Sequence, residues 1–310
     1  MIRTSVAMAT YNGAEYVVEQ LESIRTQSMP VDEVIIHDDR STDDTVAIVE
    51  KYIREHGLER TWKVSQNPKN LGYAANFIGA VKETVGEYIF FCDQDDIWIA
   101  DRAERMIGLM EVHPDMLLLG SEFDSFVSAK DAPSVPGWEQ KMIRNDESLE
   151  KMQFTPANIF IGCQGCTMCM RRQLLERAMP YWYKGWAHDE FVWKLALCMD
   201  GLYMYHSYTL RRRLHSNNVT MRKVRDITKR LKYLTDLQDS HMATLKYARE
   251  NGLSKSQLAL LEKNIKATRL RIELLRNKKL WNIVPLTLFY RECYHKCRAI
   301  PVELMMAVRN

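Results

Sequence analysis

The sequence predicts an α/β protein with a mostly parallel central sheet flanked by helices, followed by an α-helical C-terminal region. Over the first 120 residues, short apolar runs alternate with segments whose apolar residues recur at helical spacing. This order is typical of parallel sheets covered by helices. From Met221 onward the chain carries long helical patterns and few glycines. We therefore predict two domains, residues 1–220 and residues 221–310.

The individual elements follow from the spacing of the apolar residues. Strands are predicted at 4–9, 34–37, 62–65, 87–92, 116–119 and 202–206. Helices are predicted around 17–24, 46–53 and 106–110, and at 73–84, 172–179 and 188–199. Ser41, with Asp44 three residues later, is a variant of the capping box and predicts where the second helix opens. Residues 121–151, which are polar and contain two prolines, are predicted to form a loop.

Composition excludes several classes of protein. Of the 310 residues, 46% are apolar and 27% are charged, which is close to the average of globular proteins. No window approaches the roughly 18 consecutive apolar residues of a membrane-spanning helix, and the N-terminus has too short an apolar stretch for a signal peptide. We therefore expect a cytoplasmic protein. Seven cysteines without a secretion signal argue against a disulfide framework.

The charge is distributed unevenly between the two predicted domains. Residues 1–220 contain 23 Lys/Arg and 32 Asp/Glu, whereas residues 221–310 contain 20 Lys/Arg and 8 Asp/Glu. The acidic domain suits a metal ion, and the basic region suits an anionic surface. An anionic membrane is the favoured partner, because no nucleic-acid recognition motif accompanies the charge. The alternative is a helical region that packs on the first domain or forms a homodimer.

Acidic residues follow two of the predicted strands. Asp38 and Asp39 come after the second strand, and Asp93, Asp95 and Asp96 come after the strand at 87–92. In open parallel sheets, ligands bind beyond the carboxyl ends of the strands. Carboxylates there suit Mg²⁺, and three neighbouring acids are costly unless a cation compensates them. The alternatives are a polar turn for the second group and helix capping for the first.

Other motifs carry less information. The loop at 67–72 precedes a predicted helix whose free N–H groups could face an anion, although on its own a simple turn is the better explanation. Cys163, Cys166 and Cys169 have a spacing found in metal sites, but their apolar surroundings favour buried free cysteines. The chain has neither a P-loop nor a GxGxxG motif after its first strand, which argues against a dinucleotide site.

Taken in order, these segments resemble the inverting family 2 glycosyltransferases, which have the GT-A fold. The resemblance covers about residues 1–220 and rests on the strings MATYNG at 8–13, EVIIHDDRSTDDT at 33–45, NLG at 70–72, DQDDIW at 93–98, WAHDE at 186–190 and RLHSNN at 213–218. The DQDDIW spelling is similar to the rhamnosyltransferase-like members from bacteria. Arg40 replaces the glycine usual in the second motif. Ala75 stands where an arginine is often found, so Arg213 or Lys69 is expected to supply that charge to the diphosphate.

The resemblance implies a nucleotide-diphosphate-sugar donor, a bound Mg²⁺ or Mn²⁺, and roles for particular residues. Donor contacts are implied for Thr10, Tyr11, Asn12, Glu15, Asp38, Asp39, Asn70, Gly72, Asn76, Asp93, Gln94 and Arg213. Metal contacts are implied for Asp93, Asp95, Asp96 and His215. Contacts with the acceptor are implied for Trp98, Trp186 and His188.

A general base is expected at the start of the helix at 188–199. Asp189 is the candidate and Glu190 the backup, because one sequence does not reveal which carboxylate points inward. The alternative to a catalytic role is that both acids interact favourably with the helix dipole. Direct displacement with one base implies inversion at the anomeric carbon. The QxxRW signature of processive synthases is absent, which favours addition of a single sugar.

The donor and acceptor are expected from the subgroup. The best candidate is L-rhamnose from dTDP-L-rhamnose, otherwise a UDP-sugar, transferred to a lipid-linked glycan for bacterial surface polysaccharide. An apolar aromatic segment at 280–290, beside Lys278 and Lys279, suits a membrane interface or helix packing equally. Two other functions remain open: a Mg²⁺-dependent phosphotransfer or phosphohydrolase protein, and a non-catalytic nucleotide-sugar binder.

Overall fold

The computed structural model describes residues 3–128, 132–137, 139–215 and 226–309. The predicted domain boundary near residue 220 and Asn218 of the last motif lie outside these residues. The first part of the chain contains, in order, β1 (Thr4–Thr10), α1 (Val17–Arg25), β2 (Glu33–Asp38), α2 (Thr45–Glu55), β3 (Trp62–Gln66), α3 (Tyr73–Glu83), β4 (Tyr88–Asp93), β5 (Ile97–Trp98) and α4 (Arg102–Val112). These elements lie close to the positions predicted from sequence.

The next part of the chain completes the sheet. It contains β6 (Leu118–Val127), α5 (Glu139–Met142), β7 (Ser148–Lys151), β8 (Cys169–Arg171), α6 (Arg172–Ala178), α7 (His188–Cys198) and β9 (Leu202–Leu214). The strand order is β3-β2-β1-β4-β8-β6-β9-β5, and β7 also pairs with β9. The first four strands in this order are parallel to one another, and β8 is antiparallel to both of its neighbours. The predicted central sheet flanked by helices is confirmed.

The strand register brings the polar strand ends to one edge of the sheet. Thr10 at the end of β1 pairs with Asp38 at the end of β2. On the other side of β1, Ala9 pairs with Asp93, the last residue of β4. Because parallel strands end on the same side, these side chains meet at the carboxyl edge, where ligands of such sheets bind.

Two hydrophobic cores cover the two faces of the sheet. Ala7 and Ile89 point to one face, beneath α3 and α7. Their neighbours Val6 and Phe90 point to the other face, beneath α1, α2 and α4. Successive strand residues face opposite sides, so strands buried on both faces read as the continuous apolar runs seen in the sequence.

The predicted loop at 121–151 is wrong. β6 continues through Val127, and α5 and β7 lie within the remaining stretch. The outer half of β6 is half-buried or exposed, and it is held by its parallel pairing with β9. β9 likewise continues to Leu214 instead of ending at residue 206. Both extensions depend on pairing between strands that are distant in the sequence. A search for apolar runs does not detect such pairing.

The predicted capping of α2 by Ser41 is also wrong. The helix begins at Thr45, and the hydroxyl of Ser41 donates to Asp38 Oδ2 at 2.5 Å. The first helical N–H, that of Thr45, donates instead to Asp43 Oδ1 at 3.1 Å. Ser41 therefore ties the loop to the end of β2 and does not open the helix.

The C-terminal region is helical, as predicted. It contains α8 (Ile227–Glu250), α9 (Lys255–Arg276), α10 (Ile283–Leu288) and α11 (Ala299–Arg309). A capping box between Ser254 and Gln257 opens α9. Leu245 and Leu261 join the core beneath α7, whereas α10 and α11 pack in a separate cluster with the other ends of α8 and α9. Among the described helices, none combines the length and apolarity needed to cross a membrane.

Candidate active site

The turn after β4 places two carboxylates and a thiol close together. Ligand atoms of Asp93, Asp96 and Cys166 all lie within 4.8 Å of one another. Asp96 is buried: its Oδ1 accepts a hydrogen bond from Arg213 N at 3.1 Å, and among the described residues its Oδ2 has no hydrogen-bond donor. Burial, reinforced by the charge of Asp95, raises the pKa of Asp96 to about 7. The same two causes hold the pKa of Asp93 well above its usual range.

Asp95 points away from Asp93 and Asp96 and toward His215. The structure therefore divides the predicted metal ligands into two groups, Asp93 with Asp96 and Asp95 with His215. Asp95 Oδ2 lies 2.6 Å from Nε2 of His215, whose ring lies 4.9 Å from that of Tyr16. Cys166, which the sequence assigned to a set of buried free cysteines, takes the position expected of Asp95. Cys166 lies just before β8, and the pairing of β8 with β4, strands about 80 residues apart in the sequence, places it opposite the acids.

The residues present fit a hard divalent cation. Carboxylate oxygens are the ligands that Mg²⁺ and similar ions prefer. Asp93 and Asp96 repel each other in a buried turn, and one oxygen of Asp96 lacks a partner. Cation binding removes both costs, because it favours the ionised carboxylates and satisfies the free oxygen.

Asp38 and Asp39 are engaged by the protein itself. Asp38 is fully buried and accepts hydrogen bonds from the hydroxyl of Thr10 at 2.9 Å and from Nε2 of Gln66 at 3.0 Å. Asp39 accepts hydrogen bonds from the backbone N–H of Leu71 at 2.7 Å and of Gly72 at 2.8 Å. The two carboxylates therefore organise the loops that surround the strand ends.

Asn70, Gly72 and Asn76 complete this network. Asn70 Nδ2 donates to the carbonyl of Asp39 at 3.2 Å, and the buried Asn76 Nδ2 donates to the carbonyl of His37 at 2.8 Å. Gly72 has a φ of +84°, a left-handed conformation that glycine adopts without a Cβ clash. The structure thus brings all the predicted residues of this loop together at the end of β2.

The loop after β1 is held by Gln94. Its Oε1 accepts from Tyr11 N at 2.8 Å, and its Nε2 donates to Tyr11 O at 3.0 Å. A Cβ on Gly13 would meet the side-chain amide of Gln94, so glycine lets this amide approach the loop without shifting. Asn12 Oδ1 accepts from Thr42 N at 2.8 Å. The ring of Tyr11 remains exposed above this frame, as does Glu15.

Arg213 is a buried structural cation at the same edge. Its Nε donates to the carbonyl of Asp95 at 2.9 Å, and its guanidinium pairs with Glu19 of α1. The guanidinium also lies 4.9 Å from the ring centroid of Tyr16. Arg213 therefore fixes the acidic turn against α1. Lys69, the other residue expected to contact a diphosphate, is exposed.

The two acids at the start of α7 have different surroundings. Asp189 Oδ1 accepts from Glu190 N at 2.8 Å, and burial raises the pKa of Asp189. Asp189 Cβ lies 3.2 Å from the position that a Cβ on Gly165 would take, and Gly165 directly precedes Cys166 of the acidic cluster. Asp189 and Asp93 therefore lie in one region of the site. Glu190 Oε1, in contrast, lies 2.7 Å from Lys194 Nζ and accepts from the Ser240 hydroxyl at 3.0 Å. Sequence reasoning missed this cluster, because Ser240 belongs to α8.

The three residues predicted to contact an acceptor are buried. Trp98 lies in the core with Arg102 4.6 Å from its ring centroid, and Trp186 packs between Tyr183 and Phe191. Both positions indicate packing in the core, and acceptor contacts through these two rings stay a prediction. His188 stacks on Phe77 at 3.9 Å between ring centroids and borders Asp189. Burial lowers its pKa to about 3, so the imidazole is neutral.

Comparison with known proteins agrees with the fold and identifies the family. Residues 5–177, more than half of the chain, match the model of glycosyl transferase family 2. The chain therefore belongs to glycosyl transferase family 2. Membership confirms the resemblance at the level of the family, whereas the rhamnosyltransferase-like subgroup stays a prediction.

Two of the curated relatives each match less than half of the chain. The chain is 34% identical over 139 residues to the putative glycosyltransferase EpsE of Bacillus subtilis, covering 43% of this chain and 49% of EpsE. It is 37% identical over 123 residues to the poly(ribitol-phosphate) beta-N-acetylglucosaminyltransferase TarS of Staphylococcus aureus, covering 38% of this chain and 21% of TarS. The matched segment thus spans half or less of each relative.

Two solved structures share the fold over nearly the whole chain. Residues 1–349 of S. aureus TarS, in complex with UDP-GlcNAc, align over 99% of this chain and 90% of that chain, with a TM-score of 0.68 and 17% identity. The mannosyltransferase PcManGT of Pyrobaculum calidifontis, in complex with GDP-Man and Mn²⁺, aligns over 99% and 86%, with a TM-score of 0.58 and 18% identity. The GT-A fold followed by C-terminal helices is confirmed.

Proposed function

We propose that this protein is a metal-dependent inverting glycosyltransferase that moves one sugar from a nucleotide diphosphate to an acceptor hydroxyl. One observation carries the proposal. Asp189, a carboxylate with no cationic partner among the described residues, lies near the acidic pair Asp93 and Asp96 at the carboxyl edge of the sheet. A site for the leaving diphosphate and a base for the attacking hydroxyl therefore occupy one region.

Asp93 and Asp96 are the proposed ligands of Mg²⁺ or Mn²⁺. When bound, the ion supplies positive charge that stabilises the departing diphosphate. The Mn²⁺ in the complex of the similarly folded PcManGT supports this choice of cation. Asp95 and His215 form a hydrogen-bonded pair beside the ligands and hold the turn in place.

Asp189 is the proposed general base. It accepts the proton of the acceptor hydroxyl while the oxygen attacks the anomeric carbon from the side opposite the diphosphate, so the configuration inverts. General-base assistance of this kind contributes about 10²–10⁴-fold to the rate. Glu190 is unsuited to the role, because Lys194 and Ser240 occupy its carboxylate.

The proposed donor is a pyrimidine nucleotide sugar, dTDP-L-rhamnose or a UDP-sugar. The frame that Gln94 holds around Tyr11 offers an exposed aromatic ring for the base. The UDP-GlcNAc complex of the similarly folded TarS supports a pyrimidine diphosphate. For the acceptor we propose a lipid-linked glycan of bacterial surface polysaccharide, handled at the cytoplasmic face of the membrane. A relative named for teichuronic acid biosynthesis, TuaG of B. subtilis, is 33% identical over 106 residues and supports this context.

A thermal-shift panel tests the site. UDP, dTDP, GDP and CDP are each added with and without Mg²⁺ or Mn²⁺ to the wild type, to Asp96→Asn and to Asp189→Asn. A ligand at a hundredfold excess over its Kd stabilises the folded protein by roughly 2.7 kcal/mol. We expect a metal-dependent shift for one pyrimidine diphosphate in the wild type and in Asp189→Asn, with no shift in Asp96→Asn. The exposed Asp239 supplies the matched control Asp239→Asn, which should behave as wild type.

The same panel separates the alternatives. If no nucleotide shifts the melting temperature, the proposal is contradicted and a phosphotransfer or phosphohydrolase protein is favoured. Such a protein would release phosphate or carry a phosphorylated aspartate. A non-catalytic binder would show the shift, yet release no nucleoside diphosphate from a sugar donor with or without acceptor glycans. For that reason nucleoside diphosphate release is measured with the nucleotide that gives the shift.

A further inference from the structure

An apolar face that the described residues leave exposed lies on the short helical segment before and within α10. Trp281, Val284, Leu288 and Phe289 are 69%, 55%, 67% and 65% exposed. The first three are spaced by three and four residues and therefore lie on one face of the helix. Leu286, on the opposite face, is fully buried. The segment is thus fixed to the fold by one side and presents large apolar side chains on the other.

A second apolar stripe lies on α11, which contacts α10. Val302, Met305 and Val308 are exposed, whereas Ile300 and Met306 are buried in the core that α11 shares with α10. Contiguous exposed apolar residues mark interaction surfaces. We call the exposed apolar residues of 281–289 and of α11 the C-terminal apolar face.

The surroundings of this face are cationic. Residues 276–309 contain seven Lys/Arg and two Asp/Glu. Both acids are already paired with cations from other segments: Glu292 lies 2.7 Å from Lys263 Nζ, and the buried Glu303 pairs with Arg230 and Arg271. Of the seven cations, Lys279 pairs with Glu273 at 3.0 Å. The segment still has more Lys/Arg than Asp/Glu, and this excess is complementary to an anionic surface.

A cleft of about 350 Å³ lies where α11 meets α8 and α9. Arg230, Arg271, Lys296 and Arg298 line it, together with Tyr233, Tyr294 and Val302. Among the described residues, Glu303 pairs with two of these cations, Arg230 at 2.6 Å and Arg271 at 2.7 Å. Four cations thus line one cleft beside a single described acid, and this lining suits a phosphate. Because Val302 belongs both to the cleft and to the C-terminal apolar face, the two features adjoin.

We propose that this part of the protein docks on an anionic phospholipid membrane, with the C-terminal apolar face entering the interface and the cleft receiving a lipid phosphate. Apolar side chains combined with nearby Lys and Arg are the features by which proteins bind membrane surfaces without spanning them. The inference rests on α8 to α11 alone and does not depend on the proposed transfer reaction.

Vesicle co-sedimentation of the full chain tests the proposal. Vesicles of phosphatidylcholine alone are compared with vesicles that also contain phosphatidylglycerol. We expect the wild type to bind the anionic vesicles at least tenfold more tightly than the neutral ones. Its affinity for the anionic vesicles should fall as the salt concentration is raised. Trp281→Gln combined with Phe289→Gln should lose at least tenfold in binding. Arg298→Glu should lose affinity for the anionic vesicles specifically.

The matched control is Val112→Gln on α4, where the valine is 74% exposed outside the C-terminal face. It should bind as the wild type does. Equal binding of all variants overturns the proposal, as does failure of the wild type to sediment with either kind of vesicle. If the wild type instead dimerises without lipid and Trp281→Gln/Phe289→Gln is monomeric by gel filtration, the face serves a second copy of this chain and the membrane proposal fails. Because these side chains are exposed, the variants should retain the wild-type melting temperature.

Discussion

Glu190 Oε1 lies 2.7 Å from Nζ of Lys194, one turn further along α7. Lys194 is buried, and its ammonium also donates to the hydroxyl of Ser240 on α8 at 2.7 Å. The pair therefore joins the helix that carries Asp189 to the first helix of the C-terminal region. The two adjacent acids therefore differ: Glu190 stabilises the junction, whereas Asp189 has no ion-pair partner among the described residues.

Breaking this ion pair should destabilise the protein. Removing one partner of a buried pair leaves the other charge uncompensated, which costs about 3 kcal/mol or more. We expect Lys194→Met to lower the free energy of unfolding by that amount in equilibrium urea denaturation. The double variant Lys194→Met/Glu190→Gln should recover part of the loss, because it removes the stranded carboxylate. A Lys194→Met protein as stable as the wild type would contradict this account of the junction.

Replacing Asp189 should stop sugar transfer while leaving nucleotide binding intact. Asp189→Asn keeps the shape of the side chain but cannot accept the proton, so the rate should fall by about 10²–10⁴. Glu190→Gln is the neighbouring control and should retain more than a tenth of the rate. Since burial raises the pKa of Asp189, the rate should rise with pH through a value above that of an ordinary aspartate. Similar rates for both variants would remove Asp189 from the base role.

His188 should make stability depend on pH. Burial lowers its pKa to about 3 in the folded protein, whereas an unfolded histidine has a pKa of about 6.5. Between these values the unfolded chain binds more protons, so stability is fully present above pH 6.5 and declines as the pH falls, by at most about 1.4 kcal/mol per pH unit. When the pH is lowered from 7 to 5, the free energy of unfolding of His188→Leu should therefore fall by about 2 kcal/mol less than that of the wild type. Parallel curves of unfolding free energy would show that His188 does not titrate in this way.

Gln94 should control affinity for the donor through Tyr11. Its amide makes two hydrogen bonds to the backbone of Tyr11, each contributing about 0.5–1.5 kcal/mol. If that frame presents the ring to the nucleotide, Gln94→Ala should raise the Kd for the nucleoside diphosphate about tenfold, which corresponds to about 1.4 kcal/mol. Isothermal titration calorimetry measures this change, and the exposed Gln153 supplies the control Gln153→Ala. An unchanged Kd would mean that the loop orders itself without Gln94.

The sequence predicted the central sheet because its buried strands are continuous apolar runs. β4, for example, reads as an apolar run that ends at the first acid of the site. The ends of β6 and β9 were missed, because residues 122–127 and 208–214 are polar or mixed and are held by pairing with each other. Pairing between strands that are distant in the sequence leaves no local pattern in the residues of either strand.

The same distinction applies to the candidate site. The positions of Asp38 and Asp93 at strand ends could be predicted, because parallel strands end at one edge. The directions of their neighbours could not: Asp95 turns toward His215, whereas Asp96 turns toward Cys166. Adjacent residues in a turn differ in direction through contacts with β8 and β9, which depend on the whole fold.

Arg40 combines a sequence departure with a backbone feature and should yield a more stable variant. It stands where the second family motif usually has glycine, and its φ is +70°. The left-handed conformation costs a non-glycine residue about 1–2 kcal/mol in the folded state. Glycine avoids this cost but lowers the free energy of unfolding by about 0.5–1 kcal/mol, because it gives the unfolded chain more freedom. Arg40→Gly should therefore raise the free energy of unfolding by about 0.5–1 kcal/mol. Arg40→Ala keeps the strain and should show no such gain, so equal stability of the two variants in urea denaturation would contradict the explanation.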